Sequence, residues 1–218
     1  MKLFKLKRLA LSVTAACVVL GSITACVPLI LGGAVAGGSL IATDRRTSGA
    51  QLEDEGIELR ALSRLRGEIG DRSHVNLTSY NRQVLLTGEA ASAQDKQLIE
   101  QIVSRVENVN AIINEMAIMG NSTLTQRSSD ALVTGRVRAM LVDSRDLFAN
   151  AFKVVTERGT TYLMGRVTQR EADRATEVVR ATPGVQKVVR IFEVISEQEL
   201  ARTLPTPAVP STPAPARP

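Results

Sequence analysis

Residue types that build many functional sites are scarce in this chain of 218 residues. It has a single histidine, His74, two cysteines, Cys17 and Cys26, and no tryptophan. Cys17 lies in an apolar N-terminal run that is predicted below to be removed, so the remaining chain could form no internal disulfide. One histidine and one cysteine are also too few for a typical structural metal cluster. We therefore expect no disulfide, no metal site and no bound cofactor.

Sequence patterns of common enzyme active sites are absent as well. The chain contains no G-x-S-x-G, H-E-x-x-H or C-x-x-C. Gly32-Gly33 and Gly37-Gly38 follow no predicted strand, so they form no phosphate-binding loop. Glu171 and Asp173 are close together on a predicted helix, where we expect a solvated face rather than an acid–base pair. The sequence thus predicts a protein that is not an enzyme and has no small-molecule substrate.

The formal net charge of +5 comes almost entirely from the first eight residues. Lys2, Lys5, Lys7 and Arg8 lie there with no acidic residue among them. Removing those four from the 27 basic residues leaves 23, against 22 acidic ones, so the rest of the chain is nearly neutral. This balance gives no reason to expect a nucleic-acid partner.

The N-terminus is organised like a secretion signal. The basic stretch is followed by an apolar run, Leu9–Leu20, which is shorter than the roughly 20 residues that a membrane-spanning helix needs. The next residues, Ile23-Thr24-Ala25-Cys26, resemble the lipobox of bacterial lipoproteins, with an aliphatic residue, two small residues and the acceptor cysteine. The alternatives are a simple signal anchor and an ordinary cleaved signal peptide.

The lipobox resemblance implies that residues 1–25 are a cleaved signal peptide and that Cys26 becomes the lipidated first residue. Its thiol would carry diacylglycerol and its new amino group a third acyl chain, which together anchor a protein strongly. Because Val27 rather than aspartate follows the cysteine, the resemblance favours the outer membrane, with the chain facing the periplasm. We expect residues 26–56 to be a flexible tether, since Asp44–Glu55 shows no helix or strand period, although its apolar stretch Val27–Ala42 is also compatible with lying along lipid.

The remainder of the chain contains a duplication. Residues 75–88 and 152–165 each show an alternating strand, a polar two-residue turn and a second strand that ends in glycine. Each hairpin is followed by a helix-compatible stretch and then by one more strand. The turns are Asn81-Arg82 and Arg158-Gly159, and the helix-compatible stretches are 92–106 and 168–181.

An amphipathic helix precedes each hairpin. The apolar stripes are Leu59, Leu62, Leu65 and Ile69 in the first helix and Val133, Val137, Met140 and Leu141 in the second. The order helix, strand, strand, helix, strand therefore occurs twice, which predicts an α+β fold in which two helices cover one face of a three-stranded mixed sheet in each unit. The predicted units span 57–119 and 129–196, with a connector at 120–128 that is compatible with rigid or flexible packing.

The pattern of each unit resembles the BON domain. The second unit carries it most fully, in Leu163-Met164-Gly165, Arg170-Glu171-Ala172 and Pro183–Val188. In the first unit Asn108 replaces a glycine, and asparagine tolerates the left-handed backbone conformation better than most residues. The glycines expected at structural turns are Gly88, Gly165 and Gly184.

A lipobox followed by two such units resembles the dual-BON-domain outer-membrane lipoproteins, the lipid-binding type associated with cell division and envelope stress. This resemblance implies that the membrane and its anionic phospholipids are partners of the chain. The charges favour the second unit for that role, because Asp130–Ile195 holds eleven basic and eight acidic residues, whereas Ile57–Ile118 holds seven and eight.

The first helix of the second unit carries apolar and basic residues together outside its core stripe. Leucine can insert between head groups while arginine pairs with phosphate. The corresponding helix of the first unit is expected to expose Arg60 and Arg64 without comparable apolar residues. The candidate lipid-binding residues are Leu132, Arg136, Arg138, Ala139 and Val142.

The family resemblance points to the same helix, which in those lipoproteins contacts anionic phospholipid with the help of an aromatic residue where this chain has Leu132. The alternative is that Leu132 packs against the first unit and that the arginines are solvated. A second function also stays open, namely a periplasmic scaffold that docks an envelope-assembly or cell-wall protein. The Pro-rich tail, predicted as disordered over 197–218, is either passive or a docking segment.

Overall fold

The computed structural model describes residues 44–203, and the predicted signal peptide, Cys26 and residues 204–218 lie outside this range. The first unit follows the predicted order, with its last strand in two pieces and a one-turn 3-10 helix, Gly70–Arg72, after its first helix. Its elements are α1 (Ser48–Glu68), β1 (His74–Tyr80), β2 (Gln83–Ala90), α2 (Ala93–Ser104), β3 (Ala111–Asn114) and β4 (Ala117–Ile118).

The second unit repeats this order and keeps its last strand whole. A 3-10 turn, Ala149–Ala151, precedes its hairpin, and a short helix follows its last strand. Its elements are α3 (Leu124–Asp143), β5 (Phe152–Glu157), β6 (Thr160–Val167), α4 (Gln169–Arg180) and β7 (Lys187–Val194), followed by α5 (Glu197–Thr203). Both units therefore have the predicted α+β architecture. No helix within residues 44–203 combines the length and apolar character needed to cross a membrane.

Each sheet is mixed, with the second strand of the hairpin at its centre. β2 pairs antiparallel with β1 and parallel with β3 and β4, and β6 pairs in the same way with β5 and β7. The hairpin turns lie where they were predicted. Both central residues of each turn have positive φ, 51° and 65° at Asn81 and Arg82 and 54° and 72° at Arg158 and Gly159, as two-residue type I′ turns require.

A buried aspartate on the first helix of each unit holds the hairpin turn, which was not predicted. The carboxylate of Asp54 accepts the backbone N–H groups of Asn81 and Arg82, at 2.7 and 2.8 Å. Asp130 accepts those of Arg158 and Gly159 in the same way, at 2.8 and 3.0 Å. Each carboxylate thus satisfies two turn N–H groups and fixes the helix against the sheet.

Each unit has its own apolar core on one face of its sheet. α1 packs on β1 and α2 and buries Ile57, Ala61 and Leu65, and α3 buries Val133, Val137 and Leu141 in the same positions. The predicted stripes were therefore wrong at Leu59 and Met140, both of which are exposed. On each helix the first buried apolar residue lies three residues after the aspartate, and the next two follow at intervals of four. This spacing leaves Leu59 and Met140 outside the core.

A third core lies between the two sheets, on the faces that the helices leave open. Tyr80 and Leu85 of the first unit pack there with Tyr162, Met164 and Ile191 of the second. β2 and β6 are consequently buried on both faces. The two domains pack directly on each other. The short connector alone was compatible with either rigid or flexible packing.

Three predicted boundaries were wrong. α1 begins at Ser48, inside the predicted tether 26–56, because Thr47 caps it by accepting the N–H of Ala50. α3 begins at Leu124, inside the predicted connector 120–128, where Thr123 and Gln126 form a capping box. α5 takes up the start of the segment 197–218 that was predicted as disordered.

Two of the three predicted turn glycines lie inside strands. Gly88 and Gly165 occupy β2 and β6, where a Cβ atom would come within 2.1 Å of the His74 carbonyl oxygen and 2.5 Å of that of Ala151. Their role is therefore close approach of two backbones rather than a turn. Gly184 lies in the turn before β7 with φ of 100°, as predicted, and Asn108 adopts φ of 65° at the corresponding point of the first unit.

Replacing Asp130 with alanine should lower the free energy of unfolding by about 2 kcal/mol, because two turn N–H groups lose a charged acceptor. Urea denaturation of residues 44–203 measures this change. Asp173→Ala is the matched control, since Asp173 is an exposed helical aspartate whose ion pair with Arg190 is solvated. Equal destabilisation by both substitutions would contradict the role given to Asp130.

Candidate lipid-binding face

The outer surface of α3 presents all five candidate residues to solvent. Leu132 is 63% exposed, and Arg136, Arg138, Ala139 and Val142 are exposed as well. They are turned outward because Val133, Val137 and Leu141 occupy the opposite side of the helix in the second core. The alternative interpretation required Leu132 to pack against the first domain, and its exposure contradicts that interpretation. We refer to these five residues as the outer face of α3.

Two further apolar side chains outside the predicted set are exposed at the ends of α3. Leu124, in the first turn of α3, and Phe148, just after the helix, are both exposed. Leu124 was missed because the helix was predicted to begin later. The signal that could have placed it is Thr123-x-x-Gln126, which has the spacing of a capping box.

The arginines of the outer face carry no neutralising partner. Arg138 donates one hydrogen bond of 3.4 Å to the Val154 carbonyl, and among residues 44–203 neither Arg136 nor Arg138 has a carboxylate within ion-pair distance. Their charges are therefore available to an external anion such as a lipid phosphate.

The corresponding helix of the first domain differs in charge rather than in apolar exposure. Leu52 and Leu59 are exposed on α1, with Leu59 at 71%, so the expectation that α1 lacks comparable apolar residues was wrong. α1 is the more acidic helix, because Ser48–Glu68 holds three basic and five acidic residues, whereas Leu124–Asp143 holds three basic and two acidic ones. Arg60 pairs with Glu53 at 2.6 Å, and Arg64 donates to the Arg105 carbonyl at 2.7 Å. Within residues 44–203, α3 therefore combines exposed apolar side chains with a net positive charge, whereas α1 combines them with a net negative charge.

The start of the described chain forms a strap across both domains. Arg45 is buried and donates to both carboxylate oxygens of Glu171 on α4, at 2.6 and 2.7 Å, and to the Arg166 carbonyl. Arg46 pairs with Asp54 of the first domain, and its guanidinium lies 4.3 Å from the ring centre of Tyr80. The segment 44–46 was predicted as tether and is instead fixed in place.

Buried Glu171 was not recognised from sequence, where it was expected on a solvated face with Asp173. The carboxylate also closes a capping box with Thr168 at the start of α4. Burial alone would raise the pKa of Glu171, but the hydrogen bonds from Arg45 and Thr168 outweigh it and hold that pKa below its usual range. Asp173 is exposed as expected.

The strap leads the chain to a groove beside the outer face of α3. This groove, of about 530 Å³, is lined by the strap residues Asp44 and Arg46 and by Arg138 and Val142 of α3. Lys153 also lines it but is held by Glu58 of the first domain at 2.8 Å. The described part of the chain therefore begins close to the C-terminal half of the outer face.

Comparison with known proteins identifies one family and several relatives. The BON domain family matches residues 53–120 and 129–196, which together are more than half of the chain. "Outer membrane lipoprotein DolP" of Haemophilus influenzae is 34% identical over 198 residues, covering 89% of this chain and all of that protein. "21 kDa hemolysin" of Actinobacillus pleuropneumoniae is 29% identical over 154 residues, covering 70% of this chain and 79% of that protein.

Among solved structures, the C-terminal domain of CdsD, a structural protein of the type III secretion system of Chlamydia trachomatis, aligns at 13% identity. The alignment covers 69% of this chain and all of that one, with a TM-score of 0.28, which is too low to support an argument.

Replacing Arg45 with alanine should destabilise residues 44–203 by about 3 kcal/mol, because Glu171 would keep its buried charge without its partner. Adding Glu171→Gln to Arg45→Ala should restore part of the loss. Chemical denaturation of the single and double variants measures both effects. Arg190→Ala, which breaks an exposed ion pair, should change stability by less than about 0.5 kcal/mol and serves as the control.

Stability should also fall in acid. A carboxyl group whose folded pKa is lowered contributes stability that is present above its unfolded pKa, about 4, and is lost as the pH falls through the folded pKa. Glu171 is such a group, so urea midpoints measured between about pH 5 and 2 should fall less steeply in Glu171→Gln than in the unaltered protein. Parallel curves for the two proteins would contradict this assignment.

Proposed function

Because the chain belongs to the BON domain family and is a dual-BON-domain outer-membrane lipoprotein, we propose that it is tied to the membrane through Cys26 and binds anionic phospholipid through the outer face of α3. The protein has no catalytic role in this proposal. Its contribution to the envelope is a second, composition-dependent membrane contact that faces the periplasm. The observation that carries the proposal is the pairing of exposed Leu132 and Val142 with two arginines that lack carboxylate partners.

The energetics favour a reversible contact rather than insertion. Each base near an anionic surface contributes about 1 kcal/mol, and each fully buried leucine or valine side chain about 1.5 to 3 kcal/mol. A few such contacts amount to weak binding for a free domain. Once the chain is anchored, however, the second contact becomes intramolecular and its effective concentration rises.

The strap gives this contact a direction. Cys26 precedes Asp44 by 18 residues, so the anchor can lie at most about 60 Å from the strap. Since Asp44 shares a groove with Arg138 and Val142, the tether begins beside the surface that the proposal places against lipid. Membrane attachment and lipid contact are thus expected on the same side of the folded domains.

A scaffold function is the second candidate, because α1 also exposes apolar side chains, Leu52 and Leu59. Because α1 holds more acidic than basic residues, that surface offers apolar contact together with a net negative charge. Such a surface suits a protein partner better than an anionic membrane. A protein that used only this surface would ignore lipid composition.

Vesicle co-sedimentation of residues 44–203 tests the lipid proposal. The unaltered fragment should bind vesicles rich in phosphatidylglycerol and leave phosphatidylcholine vesicles largely unbound. Leu132→Glu should weaken binding by at least about fivefold, since it removes an apolar contact and adds a repelled charge. Raising the salt concentration should weaken binding further by screening the arginines.

Leu59→Glu is the matched control, because it makes the same change on an equally exposed leucine at the corresponding helix of the first domain. It should leave lipid binding unchanged. Equal binding to anionic and zwitterionic vesicles would contradict the lipid proposal, as would equal loss in the two variants. Retention of a protein partner that depends on Leu59 and not on Leu132 would support the scaffold.

A further inference from the structure

A second cluster of polar side chains lies between the two domains, away from the outer face of α3. His74 at the start of β1 and Glu89 near the end of β2 belong to the first domain, and Glu157 at the end of β5 belongs to the second. One nitrogen or oxygen atom from each of these three side chains lies within 4.8 Å of the other two. The closest contact joins His74 Nδ1 to Glu89 Oε2, at 3.1 Å.

The two carboxylates of this cluster are buried close to each other. Glu89 is 0% exposed and Glu157 is 5% exposed. The nearest cationic side chain, that of Arg158, reaches Glu89 only at 3.5 Å and is itself more than a third exposed. Asp130 adds a further negative charge close enough to act on Glu157. A cation held between two buried carboxylates this close together would offset their repulsion.

The hydrogen bonds around the cluster orient the carboxylates and leave one Glu157 oxygen able to bind a ligand. Glu157 accepts from Asn76 Nδ2 at 2.6 Å through one oxygen, and its other oxygen accepts no hydrogen bond from residues 44–203. Glu89 Oε2 accepts the backbone N–H of Ser122 at 3.1 Å. Such outer contacts are typical of the groups that hold metal ligands in position.

The duplicated architecture supplies an internal comparison. By strand register, Glu157 corresponds to Tyr80, Glu89 to Arg166 and His74 to Ala151, so the interface has a second, related corner. At that corner the backbone N–H of Arg166 donates to the Tyr80 hydroxyl at 3.2 Å. No pair of buried carboxylates faces across it. The pair of buried carboxylates is therefore a feature of one corner, and that corner also carries the only histidine of the chain.

We propose that His74, Glu89 and Glu157 bind one Zn²⁺ ion, which bridges the two domains. Imidazole nitrogen and carboxylate oxygen are ordinary zinc ligands, and a water molecule would complete the tetrahedron. Two ligands bound at about 2.1 Å in that geometry lie about 3.4 Å apart, which the three side chains reach by small rotations. The ion would take the place of the Nδ1 proton, and the ring would then carry its proton on Nε2.

This ligand set also predicts selectivity. Mg²⁺ and Ca²⁺ prefer sites made only of oxygen ligands, whereas an imidazole favours zinc and neighbouring transition metals. Because the ligands come from both domains, binding would close the interface at this corner and raise the stability of the two-domain unit. This inference is independent of the lipid-binding proposal, since it uses no residue of the outer face of α3.

The test is zinc titration of the full chain. The protein is purified in detergent without a histidine tag and stripped of metal with EDTA. Its free thiols are alkylated, which removes cysteine as a competing ligand. Competition with a chromophoric chelator should reveal one bound equivalent, and zinc should raise the thermal unfolding midpoint. His74→Ala should lower the zinc affinity by at least about tenfold. Glu157→Gln should do the same while it keeps an acceptor for Asn76, which separates charge from hydrogen bonding.

Glu193→Gln is the matched control, because Glu193 joins the two domains by accepting from Asn81 and Arg166 at the related corner. It should leave zinc affinity unchanged. Zinc binding that survives both His74→Ala and Glu157→Gln would overturn the site, as would equal stabilisation by Ca²⁺ and Zn²⁺. A circular dichroism spectrum that matches the unaltered chain establishes that each variant is folded.

Discussion

The architecture depends on the packing of two sheets against each other. β2 and β6 bury one face beneath the helices of their own domain and the other face in the core formed by Tyr80, Leu85, Tyr162, Met164 and Ile191. Because the sheets occupy the middle, the four large helices of residues 44–203 are left on the outside. The outer face of α3 is therefore a consequence of how the second faces of the sheets are buried.

Much of this architecture was predictable, and the residues show why. The alternating strands and the turns at 81–82 and 158–159 depend on local chemistry, so the hairpins were placed correctly. The packing of the two domains depends on distant residues and was left open. A signal was nevertheless present, because Val84-Leu85-Leu86 and Tyr162-Leu163-Met164 are unbroken apolar runs, which are typical of strands buried on both faces.

Several of the errors share a physical origin in buried charged groups. Asp54, Asp130 and Glu171 look like solvated helical acids in sequence, yet each is buried because it meets donors that are remote in the chain. Arg45 could not be separated from the tether for the same reason, since its partner lies 126 residues away. The repeated spacing Asp54-x-x-Ile57 and Asp130-x-x-Val133 was the available clue.

The candidate lipid-binding face follows from these buried contacts together. Asp130 and the core stripe fix the rotation of α3, which turns Leu132 and the two arginines outward, while the Arg45–Glu171 pair brings the strap beside them. The central claim is that this face, and not the equally apolar surface of α1, contacts anionic lipid. The most direct measurement is an NMR chemical-shift map of residues 44–203 titrated with anionic micelles. The account predicts perturbations concentrated on the outer face of α3 and absent around Leu52 and Leu59, whereas perturbations centred on α1, or none at all, would contradict it.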